Sequence, residues 1–156
     1  MCIILDTNRF GDALSTPPSP NYRPIIDWLT SHDKVGMVVF GGTKFLQEIT
    51  RSERARKWFT ELQRAGRAKA IDAAAVDAEE QRLCTQGLCV SDDEHLIALA
   101  RKSGARVFCT EDTALFRDVR NRALLSNPRG RIYRTKRHIA LLGHHAGCQR
   151  PPKRTR

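Results

Sequence analysis

The segment CIILDTN, residues 2–8, is four apolar side chains followed at once by Asp6, Thr7 and Asn8. A run this short and continuously apolar reads as a strand covered on both faces, the condition of strands in a parallel sheet. A carboxylate then stands where the strand ends. In open α/β sheets, ligands collect beyond the carboxyl ends of the strands. Seven residues therefore pose both the fold and the chemistry.

The rest of the chain repeats the theme. A Pro/Ser loop, STPPSPNYRP at residues 15–24, leads into a short amphipathic helix with Ile25, Ile26, Trp28 and Leu29, ending at Ser31. Residues 35–40 form a second apolar strand, stopped by Gly41 and Gly42. Thr43 is the expected N-cap of a helix through Phe45, Leu46 and Ile49, which continues or restarts through Trp58, Phe59 and Leu62. Residues 68–71 are a weaker strand, and Asp72 caps an Ala-rich helix that Gly87 ends. Ser91-Asp92-Asp93 starts another helix, with Leu96, Ile97, Leu99 and Ala100 apolar and Gly104 as its stop. Residues 106–109 are a strand, a helix begins near Thr113, NPRG at 127–130 is a turn, and Ile132-Tyr133 is a last short strand. Strands alternating with helices predict an α/β fold with a mainly parallel sheet. No repeat or internal linker divides the chain. The expected organisation is one domain over residues 1–142 and a basic tail over 143–156.

At 156 residues with 40% hydrophobic and 28% charged side chains, the composition is that of a globular protein with a real core. No run approaches a membrane span, and the N-terminus lacks a basic-then-apolar secretory pattern, so the expectation is a cytoplasmic protein without membrane contact. Cys2, Cys84, Cys89, Cys109 and Cys148 are odd in number and scattered, and read as buried free thiols. His144, His145 and Cys148 lack the partner pair of a zinc finger. The net charge of +10 is localised: residues 117–156 hold 12 Lys and Arg against one Asp. That segment points to a polyanionic partner, most simply nucleic acid, although the last eight residues, QRPPKRTR, read as a solvated tail.

Four carboxylates fall near strand ends or the helices that follow them: Asp6, Glu48 in TKFLQEI, Asp93 in SDDEHLIALA and Asp112 in CTED. Singly, each is a cap or turn former. Gathered in one pocket they would repel, and could all stay ionised only around a cation. Hard oxygen-seeking ions, Mg²⁺ or Mn²⁺, answer that need and serve phosphoryl chemistry.

In this order the motifs IILDTN, KFLQEI, SDDEHLIALARKSGA and VFCTED resemble a PIN domain, over about residues 1–135. The resemblance implies a three-layer α/β/α sandwich with a mainly parallel central sheet. It also implies Mg²⁺- or Mn²⁺-dependent hydrolysis of single-stranded RNA. Position by position, Asp6, Glu48, Asp93 and Asp112 match the family's four acids, with Asp92 and Glu94 as alternatives to Asp93. Asp6 and Asp93 would be the main ligands, Asp112 would complete the site, and Glu48 would hold a second metal or orient water. Asn8 and Thr110 would support them by hydrogen bonds. Small bacterial PIN proteins resemble VapC-type toxins, which dimerise and are held by an antitoxin; RNA maturation or defence fits the same motifs.

Arg129, Arg131, Arg134, Lys136 and Arg137 follow the fourth acid and are the expected nucleic-acid contacts, to single-stranded or structured RNA. His95 reads more plainly as a packed or surface histidine than as a site residue. GGTK at 41–44 lacks the order of a phosphate loop, no Gly-x-Ser-x-Gly or Cys-His nucleophile arrangement appears, and a haloacid-dehalogenase reading of LDTN fails at Asn8. The rival from another class is a non-catalytic RNA-binding or scaffold protein on the same fold.

Overall fold

The computed structural model describes residues 2–34 and 36–143. The expected tail beyond Gly143, the strand start at Val35 and the residues of the zinc reading lie outside these. Strand β1 (Cys2–Leu5) is buried along its whole length, which is why its four residues are all apolar. It is followed by a 3-10 turn (Thr7–Arg9) and α1 (Phe10–Ala13), both missed by apolar periodicity because they are too short to show one. Helix α2 (Arg23–Thr30) leads to β2 (Met37–Gly41), α3 (Thr43–Thr50) and α4 (Glu53–Arg64). Two helices, rather than one continued helix, occupy the second crossover: Ser52 leaves helical geometry and its hydroxyl accepts the Ala55 N–H, restarting the chain as α4. There follow β3 (Ala68–Ile71), α5 (Ala73–Gln86), α6 (Glu94–Ser103), β4 (Val107–Cys109), α7 (Thr113–Arg120), β5 (Arg131–Tyr133) and a run of 3-10 turns (Lys136–Gly143).

The strand order is β3-β2-β1-β4-β5, and every pairing is parallel. The chain steps outward from β1 to β3, then returns to β1's other side for β4 and β5. With right-handed connections, that reversal puts the first helices on one face of the sheet and the later ones on the other, giving three layers. It also makes the crevice between β1 and β4 the switch point of the topology, where open α/β sheets bind ligands.

Packing explains several sequence choices. His95 to Ala100 are all buried, so α6 is apolar on every side. Gly41 and Gly42, at φ 148° and 85°, let β2 turn tightly into α3; a Cβ on Gly42 would stand 2.7 Å from Val76 Cγ1. Thr43 was the expected cap, but its own side chain does not cap α3. Instead its N–H donates to Asp77 Oδ1 at 2.8 Å and its hydroxyl to Oδ2, so the cap comes from α5 across the fold, and these bonds hold the Asp77 carboxyl below its usual range. Cys84, Cys89 and Cys109 are free thiols as expected, but of these only Cys109 is buried and Cys84 is exposed; Cys2 is disulfide-bonded, since an odd count excludes complete pairing but not one bridge. Among the described residues no helix is long and apolar enough to cross a membrane.

Candidate active site

The register of β1 on β4 places Leu5 beside Cys109, and Asp6 N–H extends the pairing by donating to Cys109 O at 3.0 Å. Asp6 is therefore buried at the switch point, only 4% exposed. Its carboxylate is fixed at both oxygens: Oδ1 accepts the Asn8 N–H at 3.1 Å and Oδ2 accepts the Thr110 hydroxyl at 2.7 Å. Thr110 Oγ1 in turn accepts the Asp112 N–H at 3.1 Å, so one buried hydroxyl ties the first acid to the fourth. Asp112 uses Oδ1 to cap α7, accepting from Ala114 N–H at 2.9 Å. Asn8 supports Asp6 through its main chain, not its side chain, which is exposed.

Asp93 occupies the N-cap position of α6 yet makes no capping bond with its side chain. Burial first, then the nearby charges of Asp6, Asp112 and Glu48, push its carboxyl up to about 6, against the opposing pull of Lys44. Of the three adjacent acids, Asp93 is the one facing Asp6 and Asp112. Asp92 is exposed, and the charge of Glu94 is felt by Glu80 and Cys84 on α5. Glu48, one turn from the end of α3, accepts the Thr7 hydroxyl at 3.1 Å and faces His95 Nε2 at 3.3 Å, both through Oε2. All four sequence-expected acids are thus brought to the same edge of the sheet.

Three residues here were not legible as site residues. Lys44 Nζ donates to Asp92 O at 2.8 Å and is a cation set among the acids. His95 is 1% exposed, its Nδ1 has no partner, and burial holds its imidazole below its usual range; neutral, it donates from Nε2 to Glu48. Asp118, 1% exposed, accepts the Val90 N–H at 2.8 Å, the Ser91 N–H at 3.0 Å and the Ser91 hydroxyl, while Ser91 Oγ accepts the Asp93 N–H at 3.3 Å. Helix α7 therefore holds the loop that delivers Asp93 and follows directly from Asp112, its own N-cap. A signal was available for Asp118: it is an acid three residues after Leu115 and next to Val119, on the apolar face of an otherwise arginine-rich helix.

Among the described residues no group of three or more His, Cys, Asp or Glu side chains is already arranged to grip a metal ion directly. The donor set is nonetheless all oxygen, and Asp93 is an uncapped, charge-crowded carboxylate. Such a set fits a hard ion that keeps several of its waters.

The expected basic contacts lie beyond β4. Arg129, Arg131 and Arg137 line, with Arg120, a groove of about 440 Å³ along β5. Arg134 stands 4.9 Å above the Phe116 ring, and Lys136 is exposed. Since Arg131 is level with Val107 at the start of β4 and Tyr133 with Cys109 at its end, Arg129 and Arg131 enter β5 at the end of the sheet opposite the acids, and Arg134 leaves it at the acids' end.

No family model and no curated protein matches the chain. Among solved structures it is similar to a chain in the crystal structure of VapBC2 from Rickettsia felis bound to a DNA fragment from their promoter, at 19% identity and a TM-score of 0.46, with 75% of this chain and 92% of that chain covered.

Proposed function

We propose that this protein is a PIN-like endoribonuclease that hydrolyses phosphodiester bonds in single-stranded RNA, with Mg²⁺ or Mn²⁺ held by Asp6, Asp93, Asp112 and Glu48. One observation carries the reading: Asp93, half-buried at the start of α6, lies close enough to feel the charges of Asp6 and Asp112, delivered by β1 and β4. A structure keeps mutually repelling carboxylates at a strand-end crevice when a cation is to offset them.

When bound, such an ion supplies a nucleophilic hydroxide near neutral pH and offsets charge on the phosphoryl group. The chain's own residues supply the rest. Thr110 and the Asn8 N–H fix the Asp6 carboxylate so that it needs no reorientation. Thr7 and His95 hold Glu48 at Oε2, which leaves Oε1 to orient a water. The cations along β5, among them Arg129, Arg131, Arg134, Lys136 and Arg137, bind backbone phosphates without reading sequence. Membership of a toxin–antitoxin pair, as a homodimer silenced by a cognate antitoxin, follows from the sequence resemblance and belongs to this proposal.

The test is incubation of the pure protein with single-stranded RNA, with and without Mn²⁺, beside Asp6→Asn. Metal-dependent cleavage that disappears in the variant is the expected result. The non-catalytic RNA-binding reading is favoured by the lack of a ready-made ligand group among the described residues, and binding without cleavage in the same assay would establish it.

A further inference from the structure

Glu48, alone of the four acids, also lines a cleft of about 460 Å³, and none of the C-terminal arginines lines it. It is lined by the polar Asn8 and Glu48, the cationic Arg51 and Arg54, and the apolar Phe10 and Leu14. The cleft lies where α3 ends and α4 begins, beyond β2, whereas β5 is at the opposite edge of the sheet. Arg51 is exposed and its side chain makes no hydrogen bond or ion pair among the described residues. Arg54 is exposed and donates only at 3.3 Å to Leu14 O. The one acid of the first turn of α4, Glu53, pairs with Lys57 at 3.0 Å; it shares a neighbouring groove with Arg54 but makes no ion pair with either arginine. Exposed guanidiniums that make no ion pair among the described residues, set beside Glu48, are free to take an anion at the edge of the acid cluster.

We infer that this cleft is a nucleotide subsite: Arg51 and Arg54 take a backbone phosphate adjoining the scissile bond, and the apolar Phe10 and Leu14 take the attached sugar or base. The inference rests on the endoribonuclease reading for its substrate and adds where the strand lies. RNA would cross the acids from the α3–α4 corner on one side to Arg134 on the other. Guanidinium forks suit phosphate oxygens, and an apolar surface suits the flat face of an unpaired base, which a duplex would keep stacked.

The site offers a test by charge and a test by shape. A side chain added at Gly11, which also lines the cleft, would meet no atom within 4 Å. Gly11→Leu therefore fills the cleft without disturbing the fold. Binding of a short fluorescent single-stranded RNA of mixed sequence is measured against salt in an Asp93→Asn background, where cleavage is removed. Arg51→Gln/Arg54→Gln is expected to raise Kd about fivefold or more and to flatten the salt dependence by about 0.7 for each phosphate interaction removed. Gly11→Leu should raise Kd with the salt slope unchanged. With Asp93 intact, the arginine variants should raise KM while kcat holds. Arg51→Gln alone, which breaks no bond of the fold, guards against misfolding as the cause. Unchanged Kd and slope in the arginine pair, with cleavage by the wild type, would overturn the subsite and spare the nuclease reading. Weakened binding in both sets, with no cleavage by the wild type, would support the subsite and sink the nuclease reading.

Discussion

Asp93 binds its proton more tightly in the folded protein than its ordinary value of 3.8 allows, because it is half-buried and faces like charges. Between 3.8 and about 6 the folded state therefore holds more protons than the unfolded chain, and metal-free stability falls as pH rises through that window, levelling off above it. The loss is of order 2 kcal/mol, discounted for the water that reaches the site. Thermal melts in chelator across this range should show the decline, and Asp93→Asn should flatten it. At neutral pH, millimolar Mn²⁺ should raise the wild-type Tm by mass action and leave Asp6→Asn/Asp93→Asn unmoved. A wild type indifferent to Mn²⁺ would remove the case for a metal. At this scale Asp6 was legible because a strand end and a carboxylate coincided. His95 and Lys44 were not, since one side chain's burial or reach depends on neighbours that only the fold supplies.

The α7–loop contact and the α5–α6 contact make separate predictions. Asp118 satisfies three donors of the loop before α6, so Asp118→Ala leaves buried N–H groups unpaired and should cost about 3 kcal/mol in denaturant unfolding. Ser91→Ala removes only the hydroxyl that links Asp118 to the Asp93 N–H. Its cost in stability should be nearer ~1 kcal/mol, and it should require more Mn²⁺ for half-maximal activity. Glu79, also buried, joins Arg82 and Arg101, at 2.8 and 2.7 Å, and Lys102 at 3.8 Å. Glu79→Ala removes the acid shared by three cations, but Arg101 keeps the Leu124 and Ala123 carbonyls, so the cost should be about 2 kcal/mol without a change in metal affinity. The longer elements were readable from apolar spacing and from stops such as Gly87 and Gly104, both left-handed in the structure. Caps supplied from afar were not, as Thr43 and Asp77 show, because sequence distance hides a contact across 34 residues.

For the molecule as a whole, alternating strands and helices were enough to foresee an α/β fold with a mainly parallel sheet, the three layers came from the family resemblance, and the sheet is parallel throughout. What could not be foreseen was where the basic segment would lie relative to the acids, because that depends on β5 taking an edge position. Changing Arg129, Arg131 and Arg134 to Gln should weaken binding of unrelated RNAs about equally and flatten the salt slope by about 0.7 for each phosphate released. An unchanged slope would leave that groove a solvated surface. The bond between Thr110 and Asp6 also sets when the acid cluster can assemble. The Thr110 hydroxyl reaches Asp6 across 104 residues of chain, and Asp112 lies further still. A ribosome that has not yet made β4 has produced Asp6 and Glu48 without the strand that sets them in place. An unfinished copy thus lacks the assembled acid cluster, and under the proposed nuclease reading it spares the messenger being read until β4 has emerged and docked.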